Sequence, residues 1–197
     1  ENWRKENPHI KILDVYYGSN TDDLHGLVDV WCRELQRDAW TKERMAAGDE
    51  FWRVNAPLIW GVEDDLFLGR MDYWKIWAYE YVGQLLWSVA AWGKKGPDFR
   101  GLGCNALALN LYPLPNGLTT TIRWENMRDG LEDYEYLFTL KKLSLEVEKK
   151  KGENEITRDA RQIWNDKEIF LRCKNWQEME KIRHKIAQLC ETLQKAL

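Results

Sequence analysis

Thr121-Ile122-Arg123-Trp124-Glu125-Asn126-Met127-Arg128-Asp129-Gly130-Leu131-Glu132-Asp133-Tyr134-Glu135-Tyr136-Leu137 is the most information-dense run of this sequence. Met127, Leu131, Tyr134 and Phe138 recur at steps of four, three and four, which predicts one apolar stripe of a packed helix. Glu125, Arg128, Glu132 and Glu135 run beside it as an acid–base ladder with an acidic surplus. Asp129 and Asp133 add a like-charge pair one turn apart, unfavourable in an isolated helix, so a group outside the helix must answer those carboxylates. Gly130 costs such a helix about 1 kcal/mol relative to alanine, which implies that another backbone or a bulky ring lies against it.

Downstream, the helix runs to about Lys150 and breaks at Gly152-Glu153-Asn154. A short helix follows over roughly Thr157 to Trp164. Asn175-Trp176-Gln177-Glu178 then opens a last one, with Asn at the N-cap and Glu at the third helical position. Met179, Ile182, Ile186, Leu189 and Leu193 give that helix an apolar stripe that should dock on the preceding helices.

Upstream, the periodicity switches between strand and helix. His9 to Tyr17, Leu27 to Cys32, Phe51 to Ala56 and Gln84 to Trp92 are short apolar or alternating runs bounded by Gly, Pro, Asn or Ser. Helical patterns occupy Gln36 to Gly48 and Met71 to Val82, while Leu58 to Gly69 reads as irregular. Its acids Glu63, Asp64 and Asp65 suit a helix N-terminus or a solvated turn better than a catalytic pair. Gly93 to Gly117 is a Gly/Pro/Asn-bearing connection, long enough to be functional. The series is parallel α/β, and its four strands are half of an eight-stranded barrel that typically takes about 250 residues.

Composition narrows the function classes. The 197 residues carry 44% hydrophobic and 31% charged side chains, as soluble globular chains do. A net charge of -3 with no basic cluster argues against nucleic acid and anionic membrane surfaces. No apolar run approaches the roughly 20 residues that span a bilayer. Cys32, Cys104, Cys173 and Cys190 are too dispersed for a zinc knuckle or redox pair and read as buried thiols. The three histidines show no metal-ligand spacing, so no metal or other cofactor is expected. Twelve tryptophans are the outlier, and such rings either stack on sugars or fill cores. The chain begins at Glu1 without a methionine, and a fragment or processed product is expected.

The run Ile122-Arg123-Trp124-Glu125, Arg128-Asp129-Gly130 and Glu132-Asp133-Tyr134-Glu135-Tyr136-Leu137 resembles the last barrel helix of a glycoside hydrolase family 123-like catalytic domain. The likeness extends to Val28-Asp29-Val30-Trp31, to Phe51-Trp52 with Asn55, and to Arg70, Trp74, Trp77, Tyr79 and Gly83 before Leu85-Leu86-Trp87 and Trp92. Tyr112-Pro113 resembles the close of the loop before that helix. The resemblance covers most of residues 10 to 145. It implies an α/β fold, with residues 1–150 the C-terminal half of a TIM-like (β/α)8 barrel and residues 151–197 a helical extension packed on it.

It also implies a chemistry. Such enzymes act on β-linked N-acetylhexosaminides, N-acetylgalactosaminides in particular, through the substrate's own acetamido group, an exception to the two-carboxylate retaining scheme. One Asp orients the amide and the adjacent Glu protonates the leaving oxygen. Asp49-Glu50 precedes its strand, whereas barrel chemistry sits at carboxyl ends, so the catalytic pair is expected upstream of this chain. A second departure is Ala106-Leu107-Ala108, where relatives show Gly-Asp-Gly. The expected substrate-binding positions are Tyr16, Tyr17, Trp31, Trp52, Asn55, Trp87 and Trp92 at the barrel mouth, with Arg123 and Glu125 near it. Asp129, Glu132 and Asp133 are expected to hold structural contacts. The expected partners are an N-acetylhexosamine-containing glycan and, because half a barrel presents strand edges, a missing N-terminal half or a second copy of the chain. The alternative reading is a non-catalytic carbohydrate-binding or scaffolding domain.

Overall fold

A computed structural model describes residues 5–15, 24–54, 65–86 and 110–197. Four short parallel strands form one sheet: β1 (Leu13–Val15), β2 (Val30–Arg33), β3 (Glu50–Val54) and β4 (Gly83–Leu85), in the spatial order β1-β2-β3-β4. Parallel neighbours need crossover connections. Helix α1 (Ala39–Ala46) falls between β2 and β3, and α2 (Leu66–Ala78) between β3 and β4. An antiparallel hairpin, β5 (Leu111–Leu114) and β6 (Gly117–Thr120), precedes α3 (Ile122–Lys151), α4 (Glu155–Asn165), α5 (Lys167–Arg172) and α6 (Trp176–Ala196). The protein is therefore mixed α/β with a largely helical C-terminal region.

The helix starts are fixed by side chains that accept from otherwise orphaned backbone N–H groups. Asp38 accepts from Thr41 N at 2.7 Å, Asp65 from Phe67 N at 2.9 Å and Thr121 from Trp124 N at 3.3 Å. Asn175 caps α6 through Glu178 N at 2.9 Å, as the sequence predicts. Asp65 is thus a helix N-cap, and α2 starts five residues before the expected Met71. It ends at Ala78, short of the expected Val82, because Glu80 takes a left-handed conformation with φ 62°. Glu80 N donates to Trp77 O at 3.0 Å and Tyr81 N to Ile76 O at 3.0 Å, closing the helix as a Schellman motif with glutamate where glycine is usual.

Strand alternation divides the sheet residues between two faces. Trp31 and Phe51 face the helices, packed with Tyr73, Ile76, Tyr81 and Met127. Val30, Cys32 and Val54 are buried on the opposite face beside Val15, Trp52 and Leu85. A larger core joins α2 and α3 to α4, α5 and α6 through Trp74, Leu137, Leu140, Ile163, Phe170 and Met179. The α6 stripe docks there as expected, with Met179, Ile186 and Leu193 buried.

The α3 stripe departs from its expected phase. Met127 is buried, but Leu131 and Phe138 are 49% and 54% exposed. The buried arc instead runs Gly130, Asp133, Leu137, Leu140, Ser144, Val147. Gly130 lies where the sequence places a close approach. A Cβ there would stand 2.5 Å from the Tyr73 ring and 3.0 Å from Arg70 O.

Candidate functional site

Ligands of parallel α/β sheets gather at the carboxyl ends of the strands. Tyr16 and Tyr17 directly follow the last residue of β1, Asn55 follows β3, and Trp87 comes two residues after β4. These four, together with Trp92, lie outside the described residues.

The remaining expected site residues do not come together. Trp31 is fully buried on the helix-facing side of the sheet and does not face a barrel mouth. Its indole N–H donates to Asp49 Oδ2 at 2.7 Å, and its ring meets Trp40 edge-on at 5.1 Å. No ring face is left for a sugar, because alternation points residue 31 away from its neighbours Val30 and Cys32. Trp52 occupies that other face, half-buried. Its ring covers Gly83, where a Cβ would come within 2.6 Å, and its buried Nε1 has no hydrogen-bond acceptor among the described residues. Arg123 and Glu125 are half-buried in the first turn of α3. Glu125 pairs with Arg128 at 2.5 Å, and Arg128 also lies 3.6 Å from Glu132.

Asp49-Glu50 stands at the amino end of β3, as its sequence position predicts. Asp49 is held by Trp31 and by Arg44 at 2.7 Å, and Glu50 pairs with Lys11. Neither carboxylate reaches a strand's carboxyl end.

Two buried polar clusters stand outside the expected site, and the second supplies the partner from outside the helix that the sequence demands for Asp133. The first lies near the carboxyl ends of the strands, on the helix-facing side, where Arg33, Arg53 and Gln84 share one register row. Arg53 Nε stands 3.5 Å from Asp72 Oδ1, Gln84 Nε2 donates to Asp72 Oδ2 at 3.1 Å, and Arg53 also pairs with Glu34. Burial pushes the Asp72 carboxyl above its usual range, and the Arg53 charge only partly opposes this. A raised carboxyl near strand ends fits a general acid. With Asp72 4% exposed, however, it is sealed from any substrate.

The second cluster joins three helices. Arg70 of α2 grips Asp133 of α3 with both arms, at 2.6 and 3.0 Å. Trp74 Nε1 donates to the same carboxylate at 2.9 Å, and Arg183 of α6 lies 2.7 Å from it. Arg70 also reaches Glu180 at 2.6 Å. Burial works against the Arg70 charge, but the hydrogen bonds it donates to Asp133 and Glu180 outweigh that and hold it charged. These contacts answer the carboxylate that the helix alone could not tolerate, and they give Arg70, Trp74 and Asp133 structural work. The available signals were Arg70 inside an apolar helix run and Asp133 at helical spacing between Gly130 and Leu137.

Among the described residues, no three His, Cys, Asp or Glu side chains meet as metal ligands, and no helix is long and apolar enough to cross a membrane. Cys32, Cys173 and Cys190 are buried free thiols, with burial pushing Cys32 up to about 11. No family model matches the chain, and no curated protein matches it in sequence.

Proposed function

We propose that residues 1–197 are the C-terminal, binding-side half of a (β/α)8 glycoside hydrolase acting on β-linked N-acetylhexosaminides, with N-acetylgalactosaminides the first to test. The supporting observation is the sheet. Four successive strands pair in parallel in chain order, as successive units of such a barrel do, and three of them run directly toward expected sugar-contacting positions. In the proposed reaction the substrate's acetamido oxygen attacks the anomeric carbon as the glycosidic oxygen leaves. Water later opens the resulting oxazolinium ion with retained configuration. An Asp that orients the amide and a Glu that protonates the leaving oxygen come from polypeptide outside residues 1–197. No Asp-Glu dipeptide stands at a strand's carboxyl end among the described residues.

The test is hydrolysis of a chromogenic β-N-acetylgalactosaminide by a longer gene product carrying an upstream Asp-Glu pair and by residues 1–197 alone. Release by the longer product only supports the reading; inert longer product refutes it. The second reading, a carbohydrate-binding or scaffolding domain, is favoured by Ala106-Leu107-Ala108, which lacks the polar Asp of Gly-Asp-Gly. It predicts tryptophan fluorescence quenching by N-acetylgalactosamine without hydrolysis by either polypeptide.

A further inference from the structure

Leu131, Phe138 and Leu145 lie on one helix at seven-residue steps and are 49%, 54% and 44% exposed. Seven residues fall about 20° short of two turns, so the three form a nearly straight stripe. At the helical rise it is about 21 Å long, which suits a helix laid along α3 better than a compact ligand. Two grooves open beside it. One of 240 Å³ is lined by Leu131, Tyr134 and Glu135, and one of 480 Å³ by Phe138, Lys141, Lys142 and Leu145.

The stripe is symmetric about Phe138. Leu131 and Leu145 stand seven residues either side of it, Tyr134 and Lys142 four, Glu135 and Lys141 three. We propose that this face is the contact of a two-fold homodimer, with α3 antiparallel to α3 of a second copy and the axis at Phe138. In such an isologous contact each residue meets its mirror position. Phe138 then stacks on its own copy, and Leu131 enters the groove at Leu145 of the second copy. Glu135 and Lys142, seven residues apart, lie about 60° and 40° to the same side of the stripe, and the two-fold operation, which keeps each flank, sets Glu135 beside Lys142 of the second copy. Glu135 and Lys142 carry no ion pair among the described residues. Glu135 gains the Lys142 ammonium of the second copy, and Lys142 gains the Glu135 carboxylate. Glu135 and Lys142, rim charges without an ion pair among the described residues, complement each other across the two-fold, which is the argument for that occupant. The inference is independent of the carbohydrate reading.

Sedimentation equilibrium of residues 1–197 is expected to give twice the 23.5 kDa chain mass. Phe138→Glu, at an exposed position, should keep its far-UV circular dichroism and weaken association on the order of a hundredfold or more. Glu135→Lys and Lys142→Glu each set like charges together and should each dissociate the dimer. Mixed in equal amounts the two variants should pair again, because every cross-contact is then attractive. A wild-type chain that stays monomeric at all concentrations overturns the proposal. So does a dimer indifferent to Phe138→Glu, or charge variants that do not rescue each other.

Discussion

Asp133 and Asp72 are both buried carboxylates set against arginine, and they are held very differently. Asp133 receives two arms of Arg70 at 2.6 and 3.0 Å, the Trp74 indole at 2.9 Å and Arg183 at 2.7 Å. Asp72 has Arg53 at 3.5 Å and Gln84 at 3.1 Å, and burial pushes its carboxyl up. Bidentate charge-assisted pairing compensates for desolvation where a single distant contact does not. The helical layer is therefore riveted at Asp133, whereas the sheet meets α2 across a looser polar seam. The junction between the sheet and α2 is the less firmly built.

Breaking the rivet is the harshest test of that contrast. Asp133→Ala leaves Arg70 buried opposite no carboxylate within α3 and should cost about 3–5 kcal/mol in urea unfolding. Gly130→Ala comes next. An exposed helix would gain about 1 kcal/mol from that change, but here the new methyl meets Tyr73 and the Arg70 backbone. A net loss of about 1–3 kcal/mol is expected from overpacking.

The Asp72 seam should respond to pH with the opposite sign from an ordinary salt bridge. Its folded carboxyl is raised. Its contribution is therefore fully present below the ordinary carboxylate value of about 3.9 and is lost as pH rises through the folded value. Measured against Asp72→Asn by urea titration, the wild type should gain relative stability as pH falls from neutral toward 4. The smallest effect is a gain. Glu80→Gly removes the cost of a left-handed glutamate and should stabilise by about 0.5–1 kcal/mol, less whatever the exposed Glu80–Lys167 pair at 2.5 Å contributes.

The four parallel strands and the helices α1, α2, α3, α4 and α6 were legible in the sequence, because apolar runs and Gly/Pro punctuation are local signals, whereas α5 was not read. The phase of α3 was not. Its buried arc contains Asp133, and that burial depends on Arg70, 63 residues away. Counting apolar residues selected Leu131 and Phe138, which lie outside the arc. The end of α2 was hidden for a similar reason, since no glycine marks the turn that Glu80 makes. The hairpin β5–β6 was missed because Pro113 within the run argues against a central strand, although it is tolerated in a two-stranded ribbon. At the candidate site, the sequence could list tryptophans but could not say which side of β2 Trp31 occupies until the register with β3 was known.

Native-state amide hydrogen exchange, resolved by residue, tests the central contrast most directly. The account predicts that α3 amides from Leu137 to Val147 exchange only through global unfolding, while those of β1 and β4 exchange through local openings of lower free energy. Strands more protected than α3, or uniform protection across sheet and helices, would contradict it.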